Sequence, residues 1–295
     1  MRYLLIYYTG THNTRYLVNK LKQRLKQDNN EVDTLEIKCD TKPIDTKGYD
    51  YIGFSYPIYG FNAPMPFNKY LRKLKFEKNQ KYFIFKNSGE VWKMNNTSSR
   101  APKRIMKHKK CLFKGEYHFV MPYNIHFRFP NKFVKEALEH NNKLMEIMLY
   151  NLENNIISYP KANVFYHIAS FFVSIQKIGG NINSYFYKVN NEKCTRCGLC
   201  IKNCPHHNIK LKKEKIKFLH HCDMCMACSF FCPQDAIKIG FLEGWHVNGA
   251  YPLKKIEEGP TNKEPFITKD TKGFYKCFYQ YFINIDEQYK KIFDQ

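Results

Sequence analysis

Two short runs of cysteine constrain this chain more than any other feature. They read CTRCGLCIKNCP at residues 194–205 and CDMCMACSFFCP at residues 222–233, and they hold eight of the eleven cysteines. Both follow the pattern C-x2-C-x2-C-x3-C-P, and each cysteine of the first run recurs 28 residues later, as from Cys194 to Cys222. The similarity continues beyond the cysteines, since CPHHNIKL in the first copy aligns with CPQDAIKI in the second. The sequence therefore predicts a duplicated half-domain.

The spacing of these cysteines favours iron over zinc. Three closely spaced thiolates can bind one face of a cubane iron–sulfur cluster and leave its fourth iron for a distant cysteine. Paired C-x2-C units also build structural zinc sites, but a zinc ion takes only four thiolates and has no use for a third cysteine followed by Cys-Pro. We therefore predict two 4Fe–4S clusters, with a pair of zinc sites as the alternative.

The two runs resemble the bacterial two-cluster ferredoxin domain over about residues 188–240, with residues 208–221 as the hairpin between its halves. In that family the fourth cysteine of each run binds the other cluster. The resemblance implies a first cluster bound by Cys194, Cys197, Cys200 and Cys232. It implies a second cluster bound by Cys222, Cys225, Cys228 and Cys204.

Composition indicates a globular chain whose thiols stay reduced. The 295 residues include 24 Phe and 22 Tyr, which is ample material for a core. The first residues lack the pattern of a secretory signal, and the longest apolar stretch, at residues 164–175, is too short to span a bilayer. We therefore expect a cytoplasmic protein. In that compartment thiols stay reduced, and clustered cysteines bind metal more often than they form disulfides.

The segment before the cysteines alternates strand-like and helix-like stretches. Five apolar stretches predict strands at residues 2–8, 32–38, 51–57, 82–88 and 117–122. Helical stretches fit between and after them at residues 14–28, 65–76, 98–110 and 131–157. This alternation predicts an α/β fold with a doubly wound parallel five-stranded sheet, whose ligands bind at the carboxyl ends of the strands.

The segment after the first predicted strand is TGTHNT, residues 9–14. It is neither a dinucleotide fingerprint nor a Walker loop, because it lacks their glycines and their lysine. It offers neutral hydroxyls and an amide, and it leads directly into a helix whose free N–H groups favour an anion. This donor set suits a phosphate monoester, with a hydroxyl-rich helix cap as the alternative.

Two later loops extend this pattern. PIYGFNAP at residues 57–64 and NSGEVW at residues 87–92 follow the third and fourth strands, and with TGTHNT they resemble the phosphate loop and the two ring-binding loops of flavodoxins. The resemblance implies bound FMN and a flavodoxin-like fold. Its phosphate would be bound by Thr9, Gly10, Thr11, His12, Asn13 and Thr14. Its ring would lie against Pro57, Tyr59, Gly60, Phe61, Ser88, Gly89 and Trp92.

The order of these parts resembles the bacterial flavodoxin–ferredoxin fusion family over nearly the whole chain. We expect a flavodoxin-like FMN domain at 1–160, a helical linker at 161–187, a small α+β two-cluster ferredoxin domain at 188–240 and a packing extension at 241–295. In the linker, NVFYHIASFFVSIQKI predicts an apolar helix that ends before Gly179-Gly180 and clamps the domains together. The alternative, a helix on a membrane surface, is disfavoured by its thin polar face. Cys39, Cys111 and Cys277 lie outside any ligand spacing and are interpreted as ordinary thiols.

These cofactors predict an electron-transfer protein, since FMN carries one or two electrons and each cluster carries one. The flavodoxin–ferredoxin resemblance implies low-potential metabolism in an anaerobe. The alternatives are a flavin-dependent reductase of a small molecule, fed by the clusters, and an iron–sulfur sensing module. Residues 97–114 hold seven Lys/Arg and no acid, a pattern that fits a merely solvated helix face and, as the alternative, docking of an acidic redox partner. No nucleic-acid-binding pattern accompanies the net charge of +22, and we expect no nucleic-acid partner.

Overall fold

A five-stranded parallel sheet organises the first half of the chain in the computed structural model, which describes residues 1–173 and 176–294. Its strands are β1 (Arg2–Tyr7), β2 (Glu31–Glu36), β3 (Tyr51–Ser55), β4 (Lys81–Ser88) and β5 (Leu112–Val120). They lie in the order β2-β1-β3-β4-β5, with every neighbouring pair parallel. This is the doubly wound order of the flavodoxin-like fold, and it confirms the predicted fold class.

Helices cover both faces of the sheet, because its strands are apolar on both sides. They are α1 (Asn13–Gln27), α2 (Met65–Lys73), α3 (Arg100–His108) and α4 (Asn131–Glu153), with the short 3-10 helix η1 (Lys93–Thr97) before α3. One buried cluster joins the sheet to α1 and α4, and a second joins it to α2 and α3. All three loops that follow β1, β3 and β4 therefore meet at one edge of the sheet.

The fifth strand begins earlier than the predicted range of 117–122, since β5 starts at Leu112. Its register against β4 shifts between Tyr82 and Ile84, where Lys114 and Gly115 are passed over. Gly115 has a φ of +155°, a conformation that interrupts the regular ladder. The chain forms a bulge at Gly115 and continues the strand on both sides of it.

The cysteine-rich region contains two small antiparallel pairs. Strand β6 (Tyr187–Val189) pairs with β9 (Ile237–Ile239), and β7 (Ile209–Lys212) forms with β8 (Lys215–Phe218) the hairpin expected between the halves. Short helices α7 (Leu199–Lys202) and α8 (Ala227–Phe230) each follow a residue with positive φ. Positive φ recurs 28 residues apart in the pairs Arg196 and Met224, Gly198 and Met226, and His207 and Asp235. The backbone thus repeats as the sequence does.

The described part of the linker is helical over α5 (Val164–Val173) and α6 (Gln176–Ser184), so the helical region continues past Gly179-Gly180, where the sequence predicted an end. Residues 174–175 lie outside the described part of the chain. Both glycines lie inside α6, and a Cβ at Gly180 would be 2.9 Å from the carbonyl oxygen of Cys222. Helix α5 packs against η1, but its large side chains are exposed, so it is not a buried clamp between two domains.

The last segment packs mainly on the flavodoxin-like part. It contains the 3-10 helices η2 (Gly240–Trp245) and η3 (Gly273–Tyr275) and the helices α9 (Leu253–Glu258) and α10 (Lys276–Phe293). Phe278 and Phe282 of α10 are buried against α4, whereas Trp245, expected to pack, is half exposed. Among the residues that the structure describes, no helix is both long and apolar enough to cross a membrane.

Candidate cofactor-binding sites

The structure brings the first predicted set of cysteines around one cavity near the surface. Cys194, Cys197 and Cys200 of the first run line it together with Cys232 from the second run. Cys197 is exposed, and the other three are partly buried. The short helix α7 carries Cys200, and the positive φ of Gly198 turns the chain so that the three thiols of the first run face inward.

The second predicted set lines a deeper cavity. Cys222, Cys225 and Cys228 meet there with Cys204 of the first run, and three of the four are buried. Each cavity therefore collects three cysteines of one run and the fourth of the other. The two copies meet where α7 lies against α8.

Backbone N–H groups donate to sulfur at matching positions of the two copies. The amides of Asn208 and Ala236 donate to the sulfurs of Cys204 and Cys232 over 3.3 and 3.2 Å. Such bonds stabilise thiolate charge and tune an iron–sulfur centre. Burial raises the pKa of the Cys225 thiol well above its usual value. A bound metal would supply the positive charge that keeps this sulfur deprotonated.

The TGTHNT loop follows β1 and leads into α1. No side chain caps α1, and its first turn holds no acid, so its first N–H groups face an environment suited to an anion. Thr9 and Thr11 are buried beside them. His12 adopts a φ of 69°, and burial lowers its pKa to about 4, so its ring is neutral at physiological pH.

Two residues expected to bind phosphate are already bonded within the fold. The Thr14 hydroxyl donates to the side-chain oxygen of Asn87 over 2.8 Å, and the Asn13 amide donates to the carbonyl of Pro122 over 2.7 Å. These bonds tie the TGTHNT loop to the ends of β4 and β5. The donors left for a ligand are the hydroxyls of Thr9 and Thr11 and the backbone of the loop.

The second cysteine run packs directly on the TGTHNT loop. A Cβ at Gly10 would lie 2.7 Å from the carbonyl oxygen of Cys225, so only glycine allows this approach. The side chain of Asn124 donates to the Thr11 hydroxyl over 3.2 Å and to the same carbonyl over 3.4 Å. The rings of His12 and Phe231 lie 4.5 Å apart. The predicted phosphate site and the deeper cysteine cavity are therefore neighbours.

The two predicted ring-binding loops meet at the same edge of the sheet. Pro57 forms a bridge with Asn87, and the rings of Phe61 and the half-exposed Trp92 are 6.2 Å apart. Gly60 and Phe61 both have positive φ, as a tight loop requires. The hydroxyl of Tyr59 is buried and would lie 2.8 Å from a Cβ at Gly10, so this side chain contacts the TGTHNT loop.

Ser88 and Gly89 are enclosed by the protein itself. The Ser88 hydroxyl donates to the carbonyl of Glu90 over 2.6 Å and lies 2.7 Å from Nε2 of His118. A Cβ at Gly89 would overlap the ring of Tyr123, so the glycine is needed for this packing. The ring of Tyr123 covers Gly89 in this structure.

These residues fit the phosphate group of FMN. The donor set is neutral and includes hydroxyls, backbone N–H groups and the positive end of a helix dipole. Once bound, FMN would supply reversible transfer of one or two electrons. The residues that would hold it are Thr9, Gly10, Thr11 and the amino end of α1, with the loops at 57–61 and 88–92 beside its ring.

A buried charge network beneath the NSGEVW loop escaped sequence analysis. Lys86 of β4 and Lys103 of α3 both form ion pairs with Glu116 of β5, and the side chains of Lys86 and Glu116 are fully buried. The Lys86 ammonium also donates to the carbonyl of Asn95 over 2.9 Å. The only signal in the sequence is a lysine within the otherwise apolar YFIFKNS.

A further polar contact connects the deeper cavity to β1. The hydroxyl of Tyr8 lies 3.2 Å from Nε2 of His206, which is 2.9 Å from a carboxylate oxygen of Asp223. His206 and Asp223 both line the deeper cavity, and each neighbours a cysteine of the second set closely in sequence. The contact fixes the end of β1 relative to the cysteine loops.

Cys39, interpreted as an ordinary thiol, lies in an exposed group with Asp40 and His207. Its backbone amide donates to the carbonyl of Pro205 over 3.0 Å, which brings the group together. Nε2 of His207 and the nearest Asp40 oxygen are 3.9 Å apart, beyond the roughly 3.4 Å between neighbouring ligands of one zinc ion. The group is therefore not arranged as a preformed metal site.

Comparison with known proteins identifies the cysteine-rich region. Residues 187–210 match the family model of the 4Fe–4S binding domain. A 75-residue stretch is 36% identical to the polyferredoxin protein MvhB of Methanothermus fervidus, and it covers 24% of this chain and 17% of that protein. The chain thus spans a small part of the curated relative that it matches.

Solved flavodoxins align with the first half at low identity. Oxidised flavodoxin 1 from Bacillus cereus is 11% identical, covering 52% of this chain and 98% of that chain, with a TM-score of 0.40. The Streptococcus pneumoniae TIGR4 flavodoxin is 16% identical over 52% of this chain and 99% of that chain, with a TM-score of 0.37. The fold assignment itself comes from the strand order β2-β1-β3-β4-β5. This chain therefore joins a flavodoxin-like fold to a 4Fe–4S binding domain of the ferredoxin type.

Proposed function

We propose that this chain is an electron-transfer protein that holds FMN and two 4Fe–4S clusters and passes low-potential electrons between redox partners. The cofactors supply the electron chemistry, and the protein binds them, orients them and sets their surroundings. The proposal rests on the iron–sulfur domain, on the loops at the carboxyl edge of the sheet and on the crossed sets of cysteines.

The contact between the second cysteine run and the TGTHNT loop carries the proposal. Gly10 and Asn124 bring the Cys225 backbone against the proposed phosphate site. Two unrelated binding modules joined by a flexible linker would have no reason to bury these loops against each other. Direct packing keeps the carriers close, as transfer between buried centres requires.

The two cysteine sets differ in burial, and this difference supports a defined order of electron transfer between the cofactors. The set with Cys225 is buried against the flavodoxin-like part, whereas the set with Cys197 reaches the surface. The buried set would exchange electrons with the flavin, and the surface set with a protein partner. Arg196 and Ile216 line the cavity of the surface set, and the β7–β8 hairpin that carries Ile216 holds five lysines and one glutamate, which favours a partner with acidic groups.

Cofactor analysis of anaerobically purified protein tests this function. We expect about eight irons, matching inorganic sulfide and one FMN per chain. In the double variant Thr9→Val/Thr11→Val, the phosphate loses two hydroxyl donors, so flavin occupancy should fall about tenfold while iron content stays the same. The exposed Thr261→Val variant is the matched control and should keep both cofactors.

Three results would contradict the proposal. A colourless protein that contains zinc would exclude the clusters, and full flavin retention in the double variant would place the phosphate elsewhere. Steady turnover of a small acceptor by the reduced protein, without any protein partner, would favour a flavin-dependent reductase instead.

A further inference from the structure

Helix α5 presents its apolar residues to solvent. Val164, Phe165, Ile168 and Phe172 are exposed by 73, 70, 53 and 63%. Their spacing places them on one face of the helix. The opposite side, with the buried Ser170, packs against η1. An amphipathic helix that covers a protein core turns its apolar face inward, whereas α5 turns its apolar face to solvent.

The surroundings of this face carry no negative charge in the sequence. Residues 154–191 contain no Asp or Glu, and neither do residues 91–115, which hold eight Lys/Arg. The second segment includes η1, on which α5 packs, and α3, which follows it directly. Arg100, Arg104 and Lys107 of α3 are exposed. An apolar face and a cationic helix thus belong to one packed unit.

The positive charge of this protein limits which kind of molecule can bind the apolar face of α5. A second copy of this chain would bring two cationic surfaces together, and the formal charge of each copy is +22. An anionic lipid surface can bind both the apolar face of α5 and the basic residues of α3. Basic side chains bind its headgroups, while apolar side chains enter the boundary with the acyl chains. The aromatic content of the face and the half-exposed Trp92 next to η1 suit the same boundary.

We propose that α5 and the basic residues of α3 dock this protein onto the surface of an anionic lipid membrane. The helix lies in the plane of the interface, because its exposed apolar side chains occupy one face. Docking requires neither flavin nor iron and is thus independent of the proposed electron-transfer function. It takes up the alternative of a membrane-surface helix, which the sequence disfavoured.

Vesicle flotation of the cofactor-loaded, full-length protein tests the proposal. We compare vesicles of phosphatidylcholine with vesicles in which a third of the lipid is phosphatidylglycerol. The protein should float only with the anionic vesicles, and added salt should weaken binding. Phe165→Ser/Phe172→Ser should reduce binding at least about tenfold, because it removes buried apolar area, and Arg100→Gln/Arg104→Gln should do so by a similar factor.

A matched control separates this face from general hydrophobicity. Leu211→Ser removes a 52% exposed leucine on β7 and should leave flotation unchanged. Equal flotation of the wild type and Phe165→Ser/Phe172→Ser, or no flotation with anionic vesicles, overturns the proposal. Loss of a dimer or of an acidic protein complex in that variant, without any vesicle binding by the wild type, assigns the face to a protein instead.

A second measurement does not depend on removing apolar side chains. Phe165→Trp keeps an aromatic ring at the face, and vesicles with brominated acyl chains quench tryptophan that enters the boundary. We expect quenching well beyond that of the wild type, whose two tryptophans provide the background. Quenching equal to that background overturns the proposal.

Discussion

His118 shows how a single buried residue makes the fold sensitive to acid. Its Nε2 lies 2.7 Å from the Ser88 hydroxyl, and its carbonyl accepts the hydroxyl of Tyr281 from α10. Burial, assisted by the charge of Lys86, lowers its pKa from 6.5 to about 3. The folded protein therefore holds this ring neutral at a pH where the unfolded chain protonates it.

Replacing His118 should flatten the acid side of the stability curve. Because the unfolded state binds the extra proton between pH 6.5 and about 3, wild-type stability falls as pH falls through that window. The contribution of His118 between about pH 7 and pH 5 is about 2 kcal/mol, and His118→Gln should lose this dependence. Urea unfolding at several pH values measures it.

The exposed His108 on α3 provides the control for this prediction. His108→Gln should leave the pH dependence of stability as in the wild type. An unchanged slope in His118→Gln would show that other groups account for the acid sensitivity.

At the scale of residues, the sequence predicts ligands better than their surroundings. The eight cysteines could be assigned to two crossed sets because the runs resemble two-cluster ferredoxins, in which the fourth cysteine of each run binds the other cluster. Asn124 and Phe231 could not be found in this way, since their contacts with Thr11 and His12 join segments far apart in the chain. A side chain that bridges two loops has no local signature.

Strands β4 and β5 are joined by a buried ion pair as well as by their backbone ladder. Lys86 and Glu116 are fully buried, and Lys103 from α3 completes the network at its edge. Burial lowers the pKa of Lys86, whereas the two neighbouring lysines outweigh burial and lower the pKa of Glu116. Together, the three residues connect β4, β5 and α3 beneath the NSGEVW loop.

Replacing only one residue of this ion pair should lower the free energy of unfolding more than replacing both. Glu116→Leu leaves the Lys86 ammonium buried without its carboxylate and should lower the free energy of unfolding by about 3–5 kcal/mol. Adding Lys86→Met removes the stranded charge and should recover most of this loss. Denaturant unfolding of the wild type, both single variants and the double variant measures the coupling, and additive losses would contradict it.

The presence of each helix and strand was easier to predict than the residues at which it begins and ends. The order of strands and helices followed from apolar periodicity, because burial on both faces of the sheet requires it. The start of β5 was wrong because a bulge at Gly115 resembles a loop in sequence. The predicted end of the linker helix was wrong because the glycine pair at 179–180 resembles a helix end but lies inside α6. Tertiary packing decided both cases.

The two halves and the final helix share one core. Phe230 of α8, next to the cysteine cavity, belongs to the same buried cluster as α4 and as Phe278 of α10. Arg128 donates to the carbonyls of Asn248, Gly249 and Ala250 and so connects the loop before α4 to the segment before α9. We therefore expect the described parts of the chain to unfold together.

Truncating one side chain of α10 should destabilise the whole molecule. Phe278 is fully buried, and its ring centre is 4.7 Å from that of Phe133. Phe278→Ala should cost about 3–5 kcal/mol, since it leaves a cavity in the shared core. Thermal unfolding followed by circular dichroism and by cluster absorbance should shift together, whereas Phe293→Ala, a 43% exposed position, should barely change either signal. Separate transitions would show two independent cores.

The close approach of Cys225 to Gly10 has a consequence for nucleotide retention. A nucleotide bound on TGTHNT and a metal centre bound by the Cys225 set would share the contact between Gly10 and Cys225. Oxidative loss of the metal centre should therefore also weaken retention of the nucleotide.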